Sequence, residues 1–194
     1  MNTKDILSKG IEVVSFLLAA FSGFLKNIAP PEEANATFAV GLSSVLTLVV
    51  FLLASALSKS RFRKKYKKIW LSASAAFFLV AIIAAFVYKG NTDELTFAYP
   101  PGNTKAEFIG GTVFTPEGQA YRASHPQETI SELVADYGGI AQRELIWTRD
   151  SIHWASMKLT INYVLLIVSL AGTIFGLTEG ILIDPKQNAK TAKR

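Results

Sequence analysis

The sequence predicts a membrane protein, mainly α-helical, in which four transmembrane helices carry a small α+β extracytoplasmic segment between the third and the fourth. Three observations predict it. Ala34 to Ser58, Ile69 to Tyr88 and Leu159 to Thr178 contain no charged residue. A hydrocarbon core about 30 Å thick is crossed by roughly 20 apolar helical residues, so each run is long enough to span it. Seven of the ten residues from Lys59 to Lys68 are basic, between the first two of these runs. Finally, 50% of the 194 residues are hydrophobic. They are gathered into blocks rather than spread with the period of 2 or 3.6 of a soluble domain.

Another apolar stretch, Val13 to Leu25, lies between Lys9 and Glu12 on one side and Lys26 on the other. It has three readings: a short span whose flanking lysines reach the two interfaces, a signal peptide, or an interfacial helix. As a retained first span it makes the charge distribution consistent. With the N-terminus inside, the connector Asn27 to Thr37 lies outside and carries only Glu32 and Glu33. The basic hairpin lies inside. Lys89 to Lys158 lies outside, with six basic and nine acidic residues for a net −3. The tail after Ile183 returns inside with Lys186, Lys190, Lys193 and Arg194 against Asp184. Cations thus gather on the cytoplasmic side, as the positive-inside rule requires, and Trp70, Tyr88, Trp154 and Tyr163 stand at the expected boundaries as interfacial anchors. The chain divides into 1–88 (helices 1–3 and the hairpin), 89–150 (the α+β segment) and 151–194 (helix 4 and tail).

Within the outer segment, Leu95 to Tyr99 alternates as a strand and ends at Pro100-Pro101-Gly102-Asn103. Glu107 to Ile109 and Thr112 to Phe114 read as further strands around Gly110-Gly111. Pro116-Glu117-Gly118 reads as a tight turn across which Ala120 to Arg122 pairs back. From Thr129 the pattern turns helical, with Ile130, Leu133, Val134 and Tyr137 on one face and Gly138-Gly139 as the stop. Ile140 to Thr148 fits a strand or a helix. Asp150 is the expected N-cap of a last helix running from Ser151 to Ile183, close to 50 Å at 1.5 Å per residue. Such a helix is a structural route from the outer segment into the membrane.

Gly172, Gly176 and Gly180 repeat every four residues on that helix, the spacing that lets two backbones approach closely in lipid. Asn162 and Ser169 fall on the same side. The ridge fits packing within one subunit, packing between subunits of a homo-oligomer, or, around Asn162, a polar stripe lining a pore. The hairpin cations Lys59, Arg61, Arg63, Lys64, Lys65, Lys67 and Lys68, interleaved with Phe62 and Tyr66, fit a lipid-headgroup anchor. Together with the tail they also fit a docking face for an acidic soluble protein or nucleic acid. Of the last two a cytoplasmic protein partner is the expectation, with no direct nucleic-acid contact.

No HExxH, GxSxG or P-loop pattern occurs. Cysteine is absent, so thiol nucleophiles and thiolate metal sites are excluded. His125 and His153 stand far apart, each read as a solvated side chain. Glu179 reads as a helix-end charge at the inner interface, and Asn35-Ala36-Thr37 matches a glycosylation sequon beside a span. No enzyme, cofactor or metal is expected.

This layout (length, span count, the outer segment between spans three and four, and the basic inner face) resembles small four-span proteins of bacterial anti-phage defence operons, in particular the membrane subunit of the Kiwa defence system. The resemblance implies a homo-oligomeric assembly in the bacterial inner membrane that senses phage at the envelope and works with a cytoplasmic DNA-binding effector. The expectation is a non-enzymatic sensor or anchor; the alternative is a pore-forming or channel-type membrane effector.

Overall fold

The computed structural model of the 194-residue chain describes residues 28–58, 67–101 and 106–182. Val13 to Leu25, most of the basic hairpin, the turn at Gly102-Asn103 and the tail lie outside the described residues. The described elements run α1 (Glu33–Ser58), α2 (Lys67–Leu95), β1 (Thr96–Tyr99), β2 (Ala106–Ile109), α3 (Pro116–Ser124), α4 (Ile130–Asp136), a 3-10 turn (Ile140–Gln142), α5 (Arg143–Ile146) and α6 (Arg149–Leu182). Three of these helices, α1, α2 and α6, are long and apolar enough to cross a membrane, and the chain is a multi-pass membrane protein on that ground.

The described residues form two compact units, one made of Gly41–Ala84 with the described part of Val164–Arg194, the other of Ile28–Val40 with Ala85–Tyr163. In the first, the helical unit, small residues set the packing. A Cβ on Gly172 would lie 2.9 Å from the ring of Phe77, and one on Gly176 would lie 2.8 Å from Ser74 Cβ and 3.1 Å from its Cα. The Ser74 hydroxyl donates to the carbonyl of Thr173 at 2.8 Å, a bond that the close approach makes possible. Ala171 and Phe175 are buried against Leu48 and Phe51, the two phenyl rings 4.9 Å apart. Gly172 and Gly176 therefore face α2 of the same chain.

The second, the inter-span unit, departs from expectation in several places. The second described span continues past Tyr88 to Leu95, and Lys89 pairs with Asp93 one turn on within this extension. Leu95 thus closes α2 instead of opening β1. Among the described residues two strands form, antiparallel, with Thr96 opposite Ile109 and Tyr99 opposite Ala106. Thr112 to Phe114 is not a strand; Phe114 makes a single bridge to Trp147. Ala120 to Arg122 is helical and does not pair back. Thr115 is an N-cap whose hydroxyl accepts from Gly118 N–H, and Pro116 occupies the first turn, where its missing N–H costs nothing. Ile140 to Thr148 resolves into the 3-10 turn, α5 and an extended Trp147. The last helix starts at Arg149, so Asp150 sits inside its first turn and is not the cap. At the other end of the unit, α1 already begins at Glu33, so Glu33 to Thr37 is helix and not connector.

Candidate functional site

The most heavily bonded polar cluster among the described residues centres on Glu32. This residue holds a left-handed backbone (φ 70°) just before α1, a conformation unfavourable for a side chain with a Cβ. Its carboxylate forms a forked ion pair with Arg143, of which the Nη2 to Oε2 arm is 3.2 Å. It also accepts from the Ile109 N–H at 3.1 Å and from the Asn35 amide at 3.4 Å. Arg143 in turn donates to the Ile109 carbonyl at 3.2 Å. Both charged side chains are about four-fifths removed from solvent (21% and 20% exposed). A two-pronged guanidinium–carboxylate pair in this setting is among the stronger polar contacts available. It ties the residue preceding α1, the end of β2 and the start of α5 into one clasp. Asn35, the sequon asparagine, is engaged here as well: its carbonyl oxygen accepts from Ser156 at 2.9 Å.

Beneath the clasp, Trp147 (2% exposed) anchors an aromatic core, its ring 5.5 Å from Phe97 and 5.8 Å from Phe114. Leu133, Val134 and Ile146 fill the rest. The 113–115 backbone pairs with 146–148 through Thr115 N–H to Ile146 (2.8 Å) and Thr148 N–H to Val113 (3.0 Å). Gly118 abuts the Ile146 backbone and Gly111 abuts Trp147 and Ser151 closely enough that neither position has room for a Cβ. A capping box opens α4: the Thr129 N–H and hydroxyl both donate to the Glu132 carboxylate, at 2.7 and 2.8 Å. These bonds hold the Glu132 carboxyl below its ordinary range. Loss of water contact pushes the Tyr121 phenol up, with the carboxylates of Glu128 and Asp136 adding to it.

The stripe Ser151, Ala155, Leu159 and Tyr163 of α6 is buried at four-residue spacing. Tyr163 and Tyr88, expected as interfacial anchors, are buried instead, their rings 6.0 Å apart, and the Tyr88 hydroxyl donates to Ile28 at 2.6 Å. Trp154 on the neighbouring face is 67% exposed. It lines a cleft of about 350 Å³ together with Leu95, Thr112, Ala155, Lys158, Ile161 and Asn162.

Of the residues singled out from sequence, Lys59, Arg61, Arg63, Lys64 and Lys65 lie outside the described residues. Lys67 and Lys68 open α2, with Lys68 exposed. Gly180 lies in the last turn of α6. Ser169 is buried in the helical unit (2% exposed), whereas Asn162 is half-buried and lines the cleft of the inter-span unit. Asn162 stands beside the indole of Trp154 and the ammonium of Lys158 in that cleft. His125 stacks on Tyr121 at 4.2 Å, and His153 is exposed. Sequence reasoning missed Glu32–Arg143 and Trp147. The only signal for the first was an isolated pair of acids beside an uncharged run.

Searches against protein-family models, curated proteins and solved structures return no match for this chain.

Proposed function

We propose that the chain is a non-enzymatic sensor or anchor of the bacterial inner membrane. It acts as a homo-oligomer with four spans and both termini inside, and it couples an extracytoplasmic segment to a cytoplasmic protein partner. The resemblance to the Kiwa membrane subunit suggests anti-phage defence as the setting. One observation carries the reading: α6 is an unbroken helix of 34 residues that contributes to both compact units. Its N-terminal stripe is locked into the inter-span core, and its C-terminal glycines receive Phe77 and Ser74. A change in the inter-span unit therefore acts on the same element that packs the spans. Large apolar side chains exposed along α1 and α2, such as Phe38, Val45, Ile83 and Phe86, offer faces for lipid and for further subunits. Lys68, with the sequence of the hairpin before it, supplies the cationic surface for an acidic partner, whose attraction weakens as salt rises.

The test is affinity purification from native cells in mild detergent, comparing wild type with a chain whose seven hairpin cations are glutamine. A soluble protein recovered at near-equal amounts with wild type and lost with the variant supports the reading. A partner retained by the variant removes the docking role of the hairpin. Self-oligomers alone from both chains favour the pore reading, which conductance in reconstituted bilayers then decides.

A further inference from the structure

We infer that the cleft beside Trp154 is a binding site for an anionic phospholipid, with the phosphate at Lys158 and an acyl chain leaving along Ile161. The site lies where the chain's own chemistry puts the membrane surface. Lys158 is the last charge before the uncharged run Leu159 to Thr178, and Trp154 stands one helical turn before it. A lysine and an indole in that position reach the headgroup and glycerol levels of a bilayer. The lining grades in the same sense. Trp154, Lys158 and Thr112 supply an indole N–H, an ammonium and a hydroxyl, all donors for phosphate oxygens. Ile161, 57% exposed, and Leu95 supply the apolar wall. Trp154 to Asn162 spans about 12 Å along the helix axis, the depth of a headgroup and the start of its chains.

Two further observations select the headgroup. Lys158 makes no ion pair among the described residues, so its charge is available to a ligand. Among the described residues no carboxylate lines the cleft, so the ammonium of a zwitterionic headgroup meets no counter-charge from them, while a net-negative one such as phosphatidylglycerol meets Lys158. Trp154 belongs to an exposed face of α6 that also carries Met157, Lys158 and Ile161. The inference stands apart from the sensor reading and survives its failure.

The experiment places the full chain in phosphatidylcholine vesicles containing a minor fraction of acyl-brominated phosphatidylglycerol or, in parallel, acyl-brominated phosphatidylcholine, and reads quenching of tryptophan fluorescence. Subtracting the signal of Trp154→Phe isolates the contribution of this site from Trp70 and Trp147. The expected result is an apparent association about fivefold stronger for the brominated phosphatidylglycerol, from the attraction of one basic residue for anionic lipid. Lys158→Gln brings that ratio close to one and Lys158→Arg keeps it. Equal quenching by both lipids in wild type means ordinary annular lipid and overturns the proposal. So does a preference that persists in Lys158→Gln, or a Trp154 contribution that neither lipid quenches, which would mean that protein covers the cleft.

Discussion

The two units of this chain are held together by different means. The inter-span unit, with two short strands and several short helices among its described residues, relies on directional polar bonds: a forked ion pair, an N-cap, a capping box and strand-like pairing, arranged around the buried Trp147. The helical unit relies on proximity. Its glycines let backbones meet closely enough for the Ser74 hydroxyl to reach the Thr173 carbonyl, and phenyl rings fill what remains. The difference follows from the solvent. In water, a small unit cannot gain enough from apolar burial alone and needs bonds that fix its loops. Between lipid tails, apolar burial brings helices no advantage over lipid, so close packing and interhelical hydrogen bonds decide. Substitutions chosen from each side should therefore fail in different ways.

The largest effect is expected at the clasp. Arg143→Ala leaves the Glu32 carboxylate mostly buried and unpaired beside a backbone it no longer has reason to strain, which should cost about 3 kcal/mol. Hydrogen exchange followed by mass spectrometry should show lost protection in 106–148 while peptides from 164–179 stay protected. Loss in both would show that the two units do not unfold separately. Gly176→Ala is the counterpart in the helical unit. Its methyl meets the Ser74 backbone, which has no rotamer to retreat to, so α2 must move, at about 2 kcal/mol. Gly172→Ala meets the Phe77 ring first, a side chain rather than backbone, and should cost about half as much. Thermal unfolding in detergent gives the order, and an equal loss at the two glycines would contradict the proximity argument. Thr115→Ala comes next, at about 1 kcal/mol, the usual value of a lost N-cap. Its signature is faster exchange in α3 alone.

How far each feature could be read from sequence follows the same division. The long runs announced α1, α2 and α6 because about twenty consecutive residues that are both uncharged and predominantly apolar are the signature of a membrane-spanning helix. Their ends were less legible: α2 runs on to Leu95 through the charged residues Lys89, Asp93 and Glu94, where hydropathy says nothing about helicity. The four-residue glycine spacing was visible, but its partners, Phe77 and Ser74, are set by helix–helix register that no local pattern encodes. Thr115-Pro116-Glu117-Gly118 supports a turn and a helix start equally well. What decides for the helix is Gly118 pressed on the Ile146 backbone, a contact from a distant segment. Glu32 and Arg143 are 111 residues apart and carry no motif. Tyr88 and Tyr163 stand where interfacial aromatics stand, and sequence cannot distinguish a ring facing lipid from one facing another ring. The unit built by long-range polar bonds was accordingly the one read least well.

The smallest effect separates the units by pH. The Thr129 N–H and hydroxyl stabilise the ionised Glu132 carboxylate, so its pKa in the folded chain lies below its value in the unfolded chain. A depressed carboxylate contributes stability that is fully present above the unfolded value, about 4.3, and is lost as pH falls through the folded value. Acidification below that range should therefore loosen the start of α4. The uncharged runs of α1, α2 and α6 hold no group that titrates there, so the packing of Gly172 and Gly176 on α2 should not respond. Glu132→Gln keeps a side chain that can accept from the Thr129 N–H but cannot titrate. Protection against hydrogen exchange across α4, scanned through mild acid, should fall off in wild type and stay level in the variant. A parallel decline in both would place the acid sensitivity elsewhere than at the capping box.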